Sequence, residues 1–160
     1  MLAMLKRFFM VVTAAIAVLT TAAQDAWKIT ANAINPSNYY GITVANGMIG
    51  IVSAPEPFKL KDVVLAGAYD LYGRGRVSNF IRSFNLLNMR LDIDGRTMNA
   101  AAATNLVQEL DMKQAAFTTS FNYADKATVS YTYYSLRQLP FTVLMDVTVT
   151  AKKDITIGGA

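Results

Sequence analysis

Polar and apolar positions alternate most regularly in the last third of this chain. Phe117, Thr119, Phe121 and Tyr123 share one side of a period-2 pattern, and Val129, Tyr131 and Tyr133 share the next, against Ser130 and Thr132. After Pro140, the residues Phe141, Val143, Met145, Val147 and Val149 line a third apolar face, with Thr142, Asp146, Thr148 and Thr150 opposite. This period belongs to strands with one buried face. Ala124-Asp125-Lys126 supplies a turn, and so does Lys152-Lys153 before Asp154. Further upstream, Asn46-Gly47 reads as a hairpin turn between Tyr39 to Val44 and Met48 to Val52. Pro55 and Pro57 end the second run, since neither can donate to a ladder. Lys61 to Tyr69 is apolar with small residues and is interrupted at Gly67. Asn88 to Asp94 alternates, with Met89, Leu91 and Ile93 facing one way and Arg90, Asp92 and Asp94 the other, before an Asp-Gly turn at Gly95. Ala100 to Ala103 is a small-residue run that forms either a helical turn or a loop.

Short strands at this spacing predict an all-β fold, an antiparallel β-sandwich. Asp154 to Ile157 begins another strand-like stretch that ends at Gly158-Gly159-Ala160 without a closing element. An unprotected edge of this kind predicts a sandwich incomplete at its C-terminal end, part of a longer reading frame.

The first residues follow a different pattern. Met1 to Arg7 carries two positive charges and no acid, Phe8 to Leu19 is apolar apart from Thr13, and Thr20-Thr21-Ala22-Ala23 is small. This is the order of a secretory signal peptide, cut after Ala23. The competing reading is a membrane anchor, but the apolar stretch is about twelve residues where a spanning helix needs roughly twenty. The organisation expected is a signal peptide at 1–23 and a partial β-sandwich domain at 24–160, secreted or periplasmic, with no membrane contact after signal removal.

Composition narrows the chemistry. The 160 residues have room for one domain. The chain contains no Cys and no His, which removes disulfides, thiolate sites, the commonest general base and the commonest neutral metal ligand. Net charge is +4, and without Lys6 and Arg7 the balance is 13 basic against 11 acidic residues. That is too weak to predict a nucleic-acid partner or an anionic membrane partner.

Three groups remain as candidate chemistry. Asp92 and Asp94, two apart on a strand, would lie roughly 6 to 7 Å apart, a separation suited to inverting glycosidases. Catalytic carboxylates come from converging elements, however, so a solvated strand face is the preferred reading. Gly73-Arg74-Gly75-Arg76 has Ser78 where a dinucleotide fingerprint would want glycine, and reads as a loop. Tyr131, Tyr133 and Tyr134 could stack on sugar rings, but the alternation of the first two favours core packing. No catalytic, cofactor-binding or metal-ligating residue is assigned, and no cofactor is expected.

Asn46-Gly47-Met48-Ile49-Gly50, Pro55-Glu56-Pro57-Phe58 and Leu65-Ala66-Gly67-Ala68-Tyr69-Asp70 together resemble the N-terminal domain of glycoside hydrolase family 65. Leu91-Asp92-Ile93-Asp94-Gly95 and Gln108-Glu109-Leu110-Asp111-Met112-Lys113 recur in the family's order. The family holds maltose, trehalose and kojibiose phosphorylases and related α-glucoside hydrolases. The resemblance implies a β-sandwich of the supersandwich type packed on an (α/α) barrel that holds the catalytic Glu and is absent here. Val52-Ser53 replaces the phosphorylases' Arg-Gly, and Gln114-Ala115-Ala116 replaces a usual glycine. The expectation is a non-catalytic accessory domain of a secreted, inverting hydrolase whose partner is an α-glucoside. The alternatives are a free-standing extracellular carbohydrate- or surface-binding module and the N-terminal domain of a disaccharide phosphorylase.

Overall fold

In a computed structural model, residues 25–70 and 79–159 are described. The expected leader, with its cut after Ala23, and the loop expected at Gly73 to Arg76 lie outside these residues. The strands are β1 (Lys28–Ala31), β2 (Thr43–Ala45), β3 (Ile49–Ser53), β4 (Leu60–Asp70), β5 (Asn79–Arg82), β6 (Leu91–Ile93), β7 (Arg96–Thr97), β8 (Ala103–Asp111), β9 (Ala116–Tyr123), β10 (Ala127–Ser135), β11 (Val143–Ala151) and β12 (Ile157–Gly159). Among the described residues the only helical pieces are single 3-10 turns at Pro36–Asn38 and Ala100–Ala102. Asn35 and Asn99 cap these turns with their side chains.

Every strand pairing is antiparallel. A five-stranded sheet runs β1-β8-β9-β10-β11, a four-stranded sheet β2-β3-β4-β5 and a small sheet β12-β6-β7. The all-β sandwich expected from the alternation is the observed architecture. β9 and β10 bury every second residue, and their register sets Phe121 against Val129 and Phe117 against Tyr133. From the opposite sheet the row Val44, Ile51 and Val63 closes the core. The Phe58 ring lies 4.5 Å from Tyr131, centroid to centroid. Tyr131 and Tyr133 are thus core residues.

A polar chain also crosses the sandwich. Ser53 Oγ accepts from Ile42 N at 2.7 Å and lies 2.5 Å from the Tyr39 hydroxyl. Tyr39 donates to Gln108 Oε1 at 2.9 Å, and Gln108 Nε2 donates to Thr119 Oγ1 at 3.4 Å. Ser53, Gln108 and Thr119 are all buried. With each group partnered, this chain ties β3 to β8 and β9 without leaving an orphan.

The Asn46-Gly47 hairpin forms as expected. Asn46 Oδ1 accepts from Met48 N and Ile49 N at 2.9 Å each, and Gly47 takes φ +90. Several local expectations shift. The strand before this hairpin shortens to Thr43–Ala45. At Gly41, φ +88, a Cβ would meet Ser53 O and Val52 Cγ1 at 2.6 Å, so the chain bends past β3 there rather than pairing from Tyr39. Phe141 is not on the β11 face: it sits in the preceding turn at φ +61. The final stretch pairs only at Ile157–Gly159, where it closes on β6 with Ile157 opposite Ile93.

Candidate functional site

The carboxylates do not converge. Asp94 leaves the strand at φ +52 in the turn after β6 and does not share a strand face with Asp92. Asp92 accepts from Arg90 at 2.8 Å and from Thr97 Oγ1 at 2.7 Å. Asp94 pairs with Lys126 and accepts from Thr156 N at 2.9 Å. The Lys126 ammonium, followed by the Thr156 N–H, holds its carboxyl below the usual range. Each acid thus serves as a clasp, Asp92 on β7 and Asp94 on the approach to β12.

Both glutamates are likewise committed. Glu56 caps the 3-10 turn by accepting from Ala100 N at 3.0 Å. Glu109 takes Lys28 Nζ at 2.7 Å across the β1–β8 pair. Its hydrogen bond and charge raise the Lys28 pKa. Among the described residues no three acids gather where they could hold a metal ion. Nothing described supplies an acid and a base across one pocket, which is the minimum for glycoside cleavage.

The chain instead presents an apolar cleft of about 400 Å³ at one end of the sandwich. Ile49, Val63 and Leu65 form its floor, and Phe84, Leu86, Leu87 and Phe141 to Val143 form its walls. The wall at 83–89 is fixed by its backbone and amides. Ser83 N donates to Val63 O at 2.8 Å, Asn85 Nδ2 to Leu60 O at 2.8 Å and Leu60 N to Asn88 Oδ1 at 2.7 Å. With Asn85 and Leu87 turned toward the sheet, Phe84 and Leu86 project outward, 84% and 86% exposed. Large exposed apolar groups on a pinned backbone mark an interaction surface.

Phe141 adds to this cleft at a conformational cost. A bulky residue at positive φ is strained by about 1–3 kcal/mol. Phe58 adopts the same φ, +61, but its ring is buried against Tyr131 and Phe121. Phe141, 49% exposed, has only half such burial among the described residues.

A second, polar cleft of about 410 Å³ lies between the β8–β9 turn and the segment after β10. Lys113, Gln114, Tyr134, Arg137 and Gln138 line it with Ser135. Ser135 Oγ is buried and has no hydrogen-bond partner among the described residues. Tyr134 thus separates from Tyr131 and Tyr133, being half-buried on the other face of β10. The sequence held no sign of either cleft beyond that tyrosine, because both assemble from segments far apart in the chain.

No protein-family model matches the chain. It is 64% identical over 142 residues to a kojibiose hydrolase of Mucilaginibacter mallensis, covering 89% of this chain and 21% of that protein. It is 54% identical over 134 residues to a kojibiose hydrolase of Flavobacterium johnsoniae, covering 84% of this chain and 20% of that one. The chain thus spans about a fifth of the length of the curated relatives it matches.

Proposed function

We propose that this chain is the N-terminal, non-catalytic β-sandwich of a longer, exported glycoside hydrolase of family 65 that cleaves α-linked glucobioses of the kojibiose type. The observation that carries the reading is 64% identity confined to a fifth of a kojibiose hydrolase, in a chain whose two glutamates, with Asp92 and Asp94, are spent on structural clasps. The apolar cleft walled by Phe84, Leu86 and Phe141 supports a domain that packs against a larger body. In such an enzyme the barrel supplies the reacting groups. A carboxylate takes a proton from water as the water oxygen bonds to the anomeric carbon, the glycosidic C–O bond breaks, and a carboxylic acid protonates the leaving oxygen, inverting the configuration. This sandwich buries one side of the barrel and shapes one rim of its cleft.

Hydrolysis rather than phosphorolysis agrees with the names of both relatives and with Val52-Ser53 in place of Arg-Gly. It also suits export, because a sugar 1-phosphate made outside the cytoplasm would be stranded by its charge. The test is to assay the long polypeptide on kojibiose with and without inorganic phosphate. Glucose release independent of phosphate is expected. Strict phosphate dependence, with glucose 1-phosphate as product, would overturn hydrolysis. Sustained glucose release by the 160-residue chain alone would overturn the accessory role.

A second reading, a sugar-binding module, is favoured by one observation: the polar cleft where Tyr134 and Arg137 stand beside the unpartnered Ser135 hydroxyl. Saturable binding of kojibiose to the chain, lost in Tyr134→Ala, would support it.

A further inference from the structure

We propose that the outer face of the four-stranded sheet, at a trough centred on Gly50, is the seat on which the rest of the longer polypeptide docks, one of its apolar side chains filling the trough. This names the docking surface within the function proposed above and rests on it. Gly50 stands in the middle of β3, where a glycine weakens a strand by adding chain entropy and removing side-chain packing. The fold itself does not require it. Its φ is not positive, and a Cβ placed there would meet only the Ala45 Cβ, at 3.6 Å, an ordinary contact. Gly41 is the counter-example, because a Cβ there would strike backbone and side chain at 2.6 Å. A mid-strand glycine with neither special φ nor crowding marks a place where something else approaches closely.

The surroundings say what approaches. Cross-strand register places Ala45, Gly50 and Val64 in one outward row. With Met48 and Ala66 they line a depression of about 160 Å³. An apolar space of about 150 Å³ holds a benzene ring, so the trough takes one large aliphatic or aromatic side chain. Its side chains offer no hydrogen-bonding group, which excludes a sugar as occupant. Ile49, at the start of β3, borders both this trough and the cleft walled by Phe84 and Phe141. The occupant is part of the same polypeptide because the relatives have about four-fifths of their length beyond the matched stretch.

The experiment places this chain in the M. mallensis kojibiose hydrolase in place of its matching stretch. Gly50→Val is compared with Ser130→Val, which makes a similar addition on the outer face of the other sheet. Both variants are also made in the 160-residue chain alone. In the long protein Gly50→Val is expected to lower Tm by roughly 1–2 °C through overpacking and to reduce glucose release from kojibiose, while Ser130→Val does neither. In the chain alone Gly50→Val leaves Tm unchanged or raises it. Equal loss from Gly50→Val in both proteins, or in neither, would overturn the docking surface and leave the accessory-domain reading intact. Equal effects of the two variants within the long protein would overturn it as well, whatever the isolated chain does. An unmutated hybrid that does not fold or cleave kojibiose would overturn the accessory-domain reading itself.

Discussion

On the outer face of the five-stranded sheet, the rows read across β9, β10 and β11 as Thr118, Thr132, Asp146; Ser120, Ser130, Thr148; and Asn122, Thr128, Thr150. On the outer face of the four-stranded sheet, the rows across β2, β3 and β4 read as Thr43, Val52, Asp62 and Ala45, Gly50, Val64. Both sheets are antiparallel, and both turn their inner faces to one shared core. An antiparallel sheet with a solvated back carries polar residues there, and the first sheet obeys along these three rows, departing from it at the end row Ala116, Tyr134 and Leu144. Hydroxyls even bond across its strands, Thr118 to Thr132 at 2.9 Å. The second sheet departs from this rule where its middle strand lacks a side chain. The shared core cannot account for the difference, and the apolar row Ala45, Gly50 and Val64 is what the proposed docking of the longer polypeptide would cover.

The most damaging change should remove what the two sheets share. Phe121→Ala empties a fully buried site between them and is expected to cost about 3–5 kcal/mol, read from the urea midpoint, collapsing both faces together. Next comes the cross-sheet polar chain. Ser53→Ala leaves the Tyr39 hydroxyl and Ile42 N short of a partner and should cost about 1–3 kcal/mol without altering either outer face.

Alkali tests the core in another way. Burial raises the pKa of Tyr131 and Tyr133 above the ordinary 10.0. The fold therefore keeps its full stability below pH 10 and loses it as pH rises beyond, when the unfolded chain releases protons that the folded chain retains. Tyr133→Phe should flatten that loss in a stability-against-pH curve.

The smallest effect is expected from the exposed clasps. Lys126 and Lys153 lower the pKa of Asp94 and Asp125 from 3.8, so their contribution is present above that pH and fades as pH falls through the lowered values. Asp125→Asn should hardly move Tm at neutral pH and should slightly blunt the acid limb.

The hairpin at Asn46-Gly47 and the strands β9 to β11 were legible because their information is local: a turn dipeptide in one case, an unbroken period of two in the other. β8 was not legible. A register shift between Thr104 and Val107, with Asn105 at φ +52, changes which face each residue takes. The inward position at its centre is filled by Gln108, which makes sense only beside Tyr39 and Thr119. Asp94 and Phe141 were assigned to strands because nothing in an Asp or Phe announces a positive φ. The pairing of β12 with β6 joins residues more than sixty positions apart, beyond any local pattern. Composition could show the lack of His and Cys, but the apolar clefts could not be read, since tertiary pairing assembles them.

The difference between the two backs can be measured by thiol labelling, since the chain has no cysteine of its own. Ala45→Cys places a probe on the outward row of the four-stranded sheet, and Thr148→Cys places one on the five-stranded sheet, both at exposed positions. Labelling rates are followed by peptide mass spectrometry in the 160-residue chain and in the hybrid made by placing it in the M. mallensis kojibiose hydrolase. Fast labelling at both sites in the chain alone, with slow labelling at position 45 but not at 148 in the long protein, is the predicted result. Equal, fast labelling at 45 and 148 in the long protein would contradict a docked four-stranded sheet.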